Sequence, residues 1–433
     1  MNSNELPKQS DVVIAGAGII GLTTALYLSD RGISVTICDK GTVGCEQSMR
    51  NWGWVRRMGR DPIEIPLAKE SARLWDEIAS KVGQDVGYRK CGIFYLCKTN
   101  KDLTKYEAWM PHAKIHKLDS HMLSPQDLAS YLPSLKGAWA GAMYTPGDAR
   151  AEPSIAIPAI AAELRRRGIS ILENCAVRAF NTSAGRVSEV ISERGAISCK
   201  NLVLATGAWT RTFCRNSGID FPQLKVFGSV MRTGPIDGGP EFAVAGSDFA
   251  FRKRLDGGYT IAQKNANIAQ IVPDSFRLLR QFLPAFRSEG NEVMLRFGKT
   301  FFEEALSKKT WAKTDVSPFE LKRQLVPDPD QKILKRGMSN VIRSFPEFAK
   351  ADILETWGCA IDVTPDAIPV ISSVPSNPGL IIASGFSGHG FGIGPGAGHL
   401  VADLITANRP IVDPSPYRLS RISKVQIAKP SRK

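Results

Sequence analysis

The chemistry in this sequence starts with GAGIIG, Gly16 to Gly21. Its glycines occupy the fixed positions of a GxGxxG pattern, between an apolar run (Ser10 to Ala15) and a stretch of helical character (Ile19 to Arg31). Gly16 permits the tight turn out of a strand, Gly18 lets the backbone approach a pyrophosphate, and Gly21 lets helix and strand pack closely. Ile19 and Ile20 open the helix, whose N-terminal N–H groups and positive dipole end attract phosphate. A second strand, Ile33 to Cys38, ends at Asp39, followed by Lys40. A carboxylate at that point takes the ribose hydroxyls of an adenosine and repels a 2′-phosphate. The unit predicts a dinucleotide site and suits FAD and NAD equally. Two more glycine signals follow. LATGAW (Leu204 to Trp209) is again strand then turn, with Ala205 and Gly207 at the bend. GFSGHGFGIGPGAGHLVADLI (Gly385 to Ile405) holds seven glycines in its first fourteen residues and runs on into an amphipathic pattern. Together they point to a ligand longer than one mononucleotide fold holds.

The elements that must position these residues can be read from the rest of the chain. Its 433 residues predict two domains. With 43% hydrophobic and 23% charged residues it has the composition of a globular protein. No run reaches the roughly 18 apolar residues of a membrane span, and the N-terminus has no secretory pattern, so a cytoplasmic enzyme is expected. The eight scattered cysteines form no CxxC pair and read as reduced, mostly buried thiols. His112, His116 and His121 read as part of a surface helix, and no metal site is expected. The net charge of +14 owes much to the tail YRLSRISKVQIAKPSRK, a solvated segment or an attractor of anions. A helix is predicted over Pro62 to Val82, with Asp61 as cap, Pro62 at N1 and Glu64 at N3. Others start at Ser124-Pro125 and Ala151, and Val177 to Cys199 reads as a short meander. Between Leu224 and Lys350 strand-like pieces alternate with polar turns, and buried-strand character returns at GLIIAS (Gly379 to Ser384). The expected fold is α/β (α+β overall): a Rossmann-like nucleotide-binding domain from residues 1–87, 146–223 and 352–433. A substrate domain on a mostly antiparallel sheet, from residues 88–145 and 224–351, is inserted into it.

GAGIIG with Asp39, then SMRNWGW, YTPGDARAEP, LATGAW, DVTPDAIPVI and the final glycine block stand in an order that resembles the D-amino acid oxidase/sarcosine oxidase/glycine oxidase family of FAD-dependent oxidoreductases. The resemblance covers almost the whole chain. It implies FAD as cofactor, held non-covalently, with a covalent link at Cys359 as the alternative. It implies flavin or FAD contacts at Arg50 and Asn51, at Val177, Ala205 and Gly207, and at Gly388, His389, Gly390 and Gly392. Glycines there let backbone approach a flat ring and permit φ > 0 turns. A helix starting near Pro395 would aim its positive end at charge on the reduced flavin. His389 could donate to the ring or orient substrate.

On the substrate side, Trp52 and Trp54 could wall the pocket, and Arg56 or Arg57 could clamp a carboxylate bidentately, with Arg252 and Arg254 competing. In sarcosine oxidase-like members a lysine activates oxygen, and Lys264 is the candidate here. Ile361 departs from the D-amino acid oxidase branch, which has an arginine nearby, and this moves the clamp to Arg56, Arg57 or Arg252. The expected reaction is hydride transfer to flavin N5 from an amino acid, D- or N-substituted, with opine-like imino diacids among the candidates, giving an imine that hydrolyses. Oxygen or a quinone carrier takes the electrons, and nucleic acid is not an expected partner. The alternatives are a tRNA-modifying flavin oxidase acting on a carboxymethylamino group, or the flavin subunit of a multi-subunit dehydrogenase.

Overall fold

The computed structural model describes residues 5–289 and 293–422. Tyr417 at the start of the basic tail is buried and donates to Ile63 O at 2.9 Å, whereas residues 423–433 lie outside the described residues.

Two sheets organise the chain. The first has six strands in the order Val370–Ser373, Leu380–Ser384, Asn201–Leu204, Val12–Ala15, Val35–Cys38, Ser170–Leu172. All pairs in it are parallel except the edge pair Val370–Ser373 with Leu380–Ser384. Helix α1 (Ile19–Ser29) follows the first strand and is buried on nearly every side, because it is packed between this sheet and a second helical layer. The second sheet has ten strands and is mostly antiparallel. Val177–Ser183, Arg186–Ser192 and Gly195–Ser198 form the expected meander. The long strand Ile353–Val363 lies in the segment expected with the first sheet, yet it pairs with Leu224–Thr233 in the second.

Three helix features differ from the sequence reading. First, α3 (Ile65–Val82), which follows the single-turn α2 (Gln47–Arg50), begins three residues later than expected. A helix started at Pro62 would place Pro66 in its interior, without an N–H and against the preceding turn; starting at Ile65 puts that proline in the first turn. Asp61 instead closes a turn, accepting from Ile63 N at 2.9 Å through Oδ1 and from Glu64 N at 2.9 Å through its carbonyl. Second, the described residues of the stretch 224–350 carry five α-helices besides strands, including Gln331–Ser344, capped by Asp330. Its buried Ile333, Leu334, Met338 and Val341 recur at helical spacing, a period hidden by the lysines and arginines between them.

Third, α4 (Gly390–Thr406) starts five residues before Pro395, so most of the glycine block is helix. Pro395 removes one rung of the ladder. Side chains of α3 step in: Ser71 Oγ and Trp75 Nε1 donate to Gly392 O at 2.9 and 3.0 Å, and Gly396 N donates to Ser71 Oγ at 3.1 Å. The glycines let α4 lie against its neighbours. A Cβ at Gly394 would come within 2.6 Å of the Ile19 side chain, and one at Gly398 within 2.4 Å of Thr23 Oγ1 and 2.6 Å of Thr24 N. Among the described residues no helix is long and apolar enough to cross a membrane.

Gly398→Ala therefore sets a methyl group against α1 backbone. It is expected to destabilise the protein by about 1–3 kcal/mol, read as a lower urea midpoint in chemical denaturation.

Candidate active site

Both α1 and α4 point their N-termini into one cavity of about 460 Å³ between the sheets. At the α1 end, Gly16 adopts φ +109°, and a Cβ there would meet Ala205 O at 2.3 Å, so only glycine allows the turn to sit under the neighbouring strand. Asp39 Oδ2 accepts from Ala17 N at 2.6 Å and Oδ1 from Gly41 N at 2.7 Å. Burial pushes the Asp39 carboxyl up, against the pull of these two donors. From α2, Ser48 Oγ accepts from Ile19 N at 2.9 Å. Gly16, Gly18, Ile19, Ile20, Asp39 and Lys40 all line the cavity. Gly21 does not: it is the close-packing position, where a Cβ would meet Gly16 O at 2.0 Å. Lys40 Nζ is occupied by Glu46 at 2.7 Å and Arg323 O at 2.7 Å, over the Trp209 ring.

Val177, Ala205 and Gly207 form one wall. Arg50 and Asn51 form another, with Asn51 Nδ2 donating back to Ser48 O at 2.7 Å and Asn51 Oδ1 accepting from Gly53 N at 2.8 Å. Cys359 is buried, lines the cavity from the strand Ile353–Val363, and has its thiol pushed up to about 11 by burial. Asp362 on that strand was missed by the sequence reading. It is buried and accepts from Gly385 N at 2.8 Å and Gln223 Nε2 at 2.9 Å, fixing the turn ahead of α4. In that turn Gly385 and Gly388 take φ of +78° and +82°.

At the α4 end, Gly388, His389, Gly390 and Gly392 line the cavity with Trp52 and Trp54. A Cβ at Gly392 would meet Trp54 O at 2.7 Å, so the helix start and the Trp54 strand are in close contact. His389 Nδ1 lies 3.0 Å from Glu64 Oε2. Arg60 Nη1 is 3.9 Å from the same oxygen. Glu64, expected as a helix-cap residue, is buried, and its carboxyl is held below the usual range by His389 and Arg60 despite burial. Burial and the cations Arg60 and Arg56 push His389 down from its ordinary value, so it is neutral, with Nδ1–H donated to the Glu64 carboxylate and Nε2 left as an acceptor.

The arginines sort differently from the sequence expectation. Arg56 lines the cavity, with its guanidinium over Tyr95 and bonded to Met58 O. Arg57 and Arg252 do not line it. Arg57 Nε binds Asp148 Oδ1 at 2.9 Å and Nη2 binds Asp119 at 2.9 Å, while Arg252 is buried in a bidentate pair with Glu152 at 2.6 and 2.9 Å. Their carboxylates had already claimed both guanidiniums, which removes them as substrate clamps. Arg254 is likewise outside, 3.2 Å from Asp256. Arg60 was missed. It lines the cavity, its side chain is 3% exposed, and its Nη1 has no hydrogen-bond partner. Trp54 Nε1 is a second buried donor without a partner there. Lys264 lines the same region, 5.2 Å from the Tyr95 ring centroid, and donates to Gly246 O at 3.3 Å. All eight cysteines are free, and among the described residues no cluster could hold a metal.

Two helix N-termini, a strand-end carboxylate and a glycine-lined slot between two sheets form a dinucleotide site. The FAD dependent oxidoreductase (DAO) family model matches residues 11–404, and the chain belongs to that family. It is 24% identical to a glycine oxidase of Pseudomonas putida, over 94% of this chain and 97% of that one. It is 23% identical to a sarcosine oxidase subunit beta of Arthrobacter, over 97% and 93%. The structure of an L-amino acid deaminase from Proteus myxofaciens in complex with anthranilate superposes with a TM-score of 0.94, at 33% identity, over 98% of this chain and 96% of that one. The chain is an FAD-dependent amino acid oxidoreductase.

The Asp39 bridge between Ala17 N and Gly41 N is the test of the cofactor end. Asp39→Ala strands both donors and is expected to weaken FAD retention by about 10- to 100-fold, measured as FAD released on dialysis.

Proposed function

We propose that the chain oxidises the C–N bond of an L-α-amino acid, with Arg60 and Arg56 holding its carboxylate and His389 beside its amine. The observation that carries this reading is the Arg60 guanidinium: buried, lining the cavity, and with an unfilled donor at Nη1. A buried guanidinium nitrogen without a hydrogen-bond acceptor is costly unless one joins it, and a carboxylate matches the guanidinium fork. The L configuration and the primary amine rest on the likeness to the Proteus L-amino acid deaminase, at 33% identity against 24% for the glycine oxidase.

Bound FAD supplies the two-electron acceptor for hydride from the substrate α-carbon. The protein's part is to bind, orient and move a proton. Asp39 and the α1 N-terminus would hold the adenosine and pyrophosphate end, and Ser48 fixes α2 against the start of α1. The α4 N-terminus lies at the other end of the slot, where its dipole favours negative charge. Arg60 and Arg56 orient the substrate, and Trp54 and Tyr95 exclude water around its side chain. His389 Nε2 accepts the ammonium proton, because Nδ1 is committed to Glu64 and the neutral ring has one acceptor left. The imine product hydrolyses to an oxo acid and ammonia. Cys359, its thiol pushed up to about 11 by burial, forms part of the wall of the slot. The six-stranded-sheet segments form the cofactor part and the ten-stranded sheet covers the reactive end, except that Ile353–Val363 contributes to both.

Anaerobic titration with L-, D-, N-methyl and N-carboxyalkyl amino acids, read as loss of the oxidised-flavin absorbance, tests the substrate class. Bleaching by L-amino acids is expected; bleaching only by D- or N-substituted ones overturns the assignment. Arg60→Gln is expected to raise KM about tenfold or more while FAD stays bound. Protonated His389 cannot accept, so the reduction rate should fall as pH drops through a pKa below the ordinary 6.5, and His389→Asn should abolish that acid limb in stopped-flow profiles.

A further inference from the structure

A second cavity, of about 480 Å³, lies behind α2 and shares Thr42, Cys45, Arg50 and Asn51 with the first. Four guanidiniums line it, from Arg50, Arg232, Arg252 and Arg254, and Glu355 is its only lining carboxylate among the described residues. The charges around it do not balance. Glu152 takes Arg252 at 2.6 Å and lies 3.6 Å from Arg150 and 3.8 Å from Arg254. Asp256 lies 3.2 Å from Arg254 and 3.7 Å from Arg232, and Glu355 takes Arg232 at 2.8 Å. Three carboxylates, Glu152, Asp256 and Glu355, thus serve Arg150, Arg232, Arg252 and Arg254, and Arg50 is a fifth, left over. Its Nε donates to Cys45 O at 3.0 Å, and among the described residues no carboxylate lies within ion-pair distance of it.

We propose that this chamber is a binding site for a compact oxyanion, a carboxylate or a phosphate, separate from the amino acid site. The shape and chemistry agree with that class. Guanidinium forks match planar or tetrahedral oxyanions, and Thr260, 3.4 Å from Arg254 Nη1, adds a hydroxyl to the wall. The side chains of Arg232 and Arg254 are 31% and 15% exposed, so an ion reaches them from solvent. Trp357 Nε1 donates to Arg50 O at 3.0 Å, tying the chamber's back wall to the single-turn helix that also lines the cofactor cavity. Arg50 lines both cavities, so an anion bound here would neutralise a guanidinium that the two share.

Isothermal titration of the holoenzyme with inorganic phosphate and, separately, with malonate tests the site. Saturable one-to-one binding is expected for at least one of them, weakened by about tenfold or more in Arg254→Gln and in Arg232→Gln, with amino acid KM unchanged. Arg232→Gln guards against a folding defect in the other variant, because Arg232 lies nearer the surface. The phosphate and malonate arms separate the two sources of the oxyanion. No saturable heat with either anion, equal binding in wild type and both variants, or displacement of the anion by the amino acid substrate would each overturn the proposal.

Discussion

The contact on which the rest depends is the face-to-face packing of α4 on α1 and α3. It works only because alternate positions of α4 have no side chain. Gly394 and Gly398 bring its backbone onto Ile19, Thr23 and Thr24, and Gly392 brings it onto the Trp54 strand. Helix packing at this distance leaves no room for a rotamer to adjust, so the position of each helix start is fixed by the other. Thr23 Oγ1 donating to Gly394 O at 3.0 Å and the Ser71 bridge convert the open ladder around Pro395 into cross-links between helices. The outcome is two positive helix ends aimed at one slot, the arrangement an anionic dinucleotide and a ring that gains negative charge both favour.

Electrostatics at the far end follow from burial. Glu64, Arg60 and His389 sit together where water is scarce, and a third unbalanced charge there is expensive. The carboxylate and one guanidinium balance each other, and the imidazole stays neutral. On the proposed reading, an incoming amino acid would change this set by one carboxylate and one ammonium, so charge would enter in matched amounts. Arg57 and Arg252 illustrate the opposite case, guanidiniums already neutralised by carboxylates and used to pin strands and loops together.

Much of this was legible in the sequence, and for physical reasons. The first βαβ unit declares itself because its glycines answer backbone requirements no other residue meets, and Asp39 follows at the strand end. The resemblance to the oxidase family, with the spacing of the glycines, implied that Gly388, His389, Gly390 and Gly392 meet the cofactor, and all four line the cavity. The start of α4 was not legible, because a proline reads locally as a first-turn residue, and only Ser71 and Trp75, more than 300 residues away, make an earlier start tolerable. The choice among arginines was also hidden. Whether a guanidinium is free depends on partners distant in sequence: Asp148 is 91 residues from Arg57, and Glu152 is 100 from Arg252. For Glu64 a local signal did exist, a lone acid in the apolar run IEIPLA, but its capping position offered an easier explanation.

The strand Ile353–Val363 has a wider consequence. It hydrogen-bonds along the ten-stranded sheet, while its Asp362 side chain holds the turn that leads from the six-stranded sheet into α4. The backbone thus laces one layer to the other several times, and no single cleavage of the chain would liberate either layer as an intact fragment. A half-length piece made for study would lack strands from both, and dissecting this molecule calls for point substitution rather than truncation.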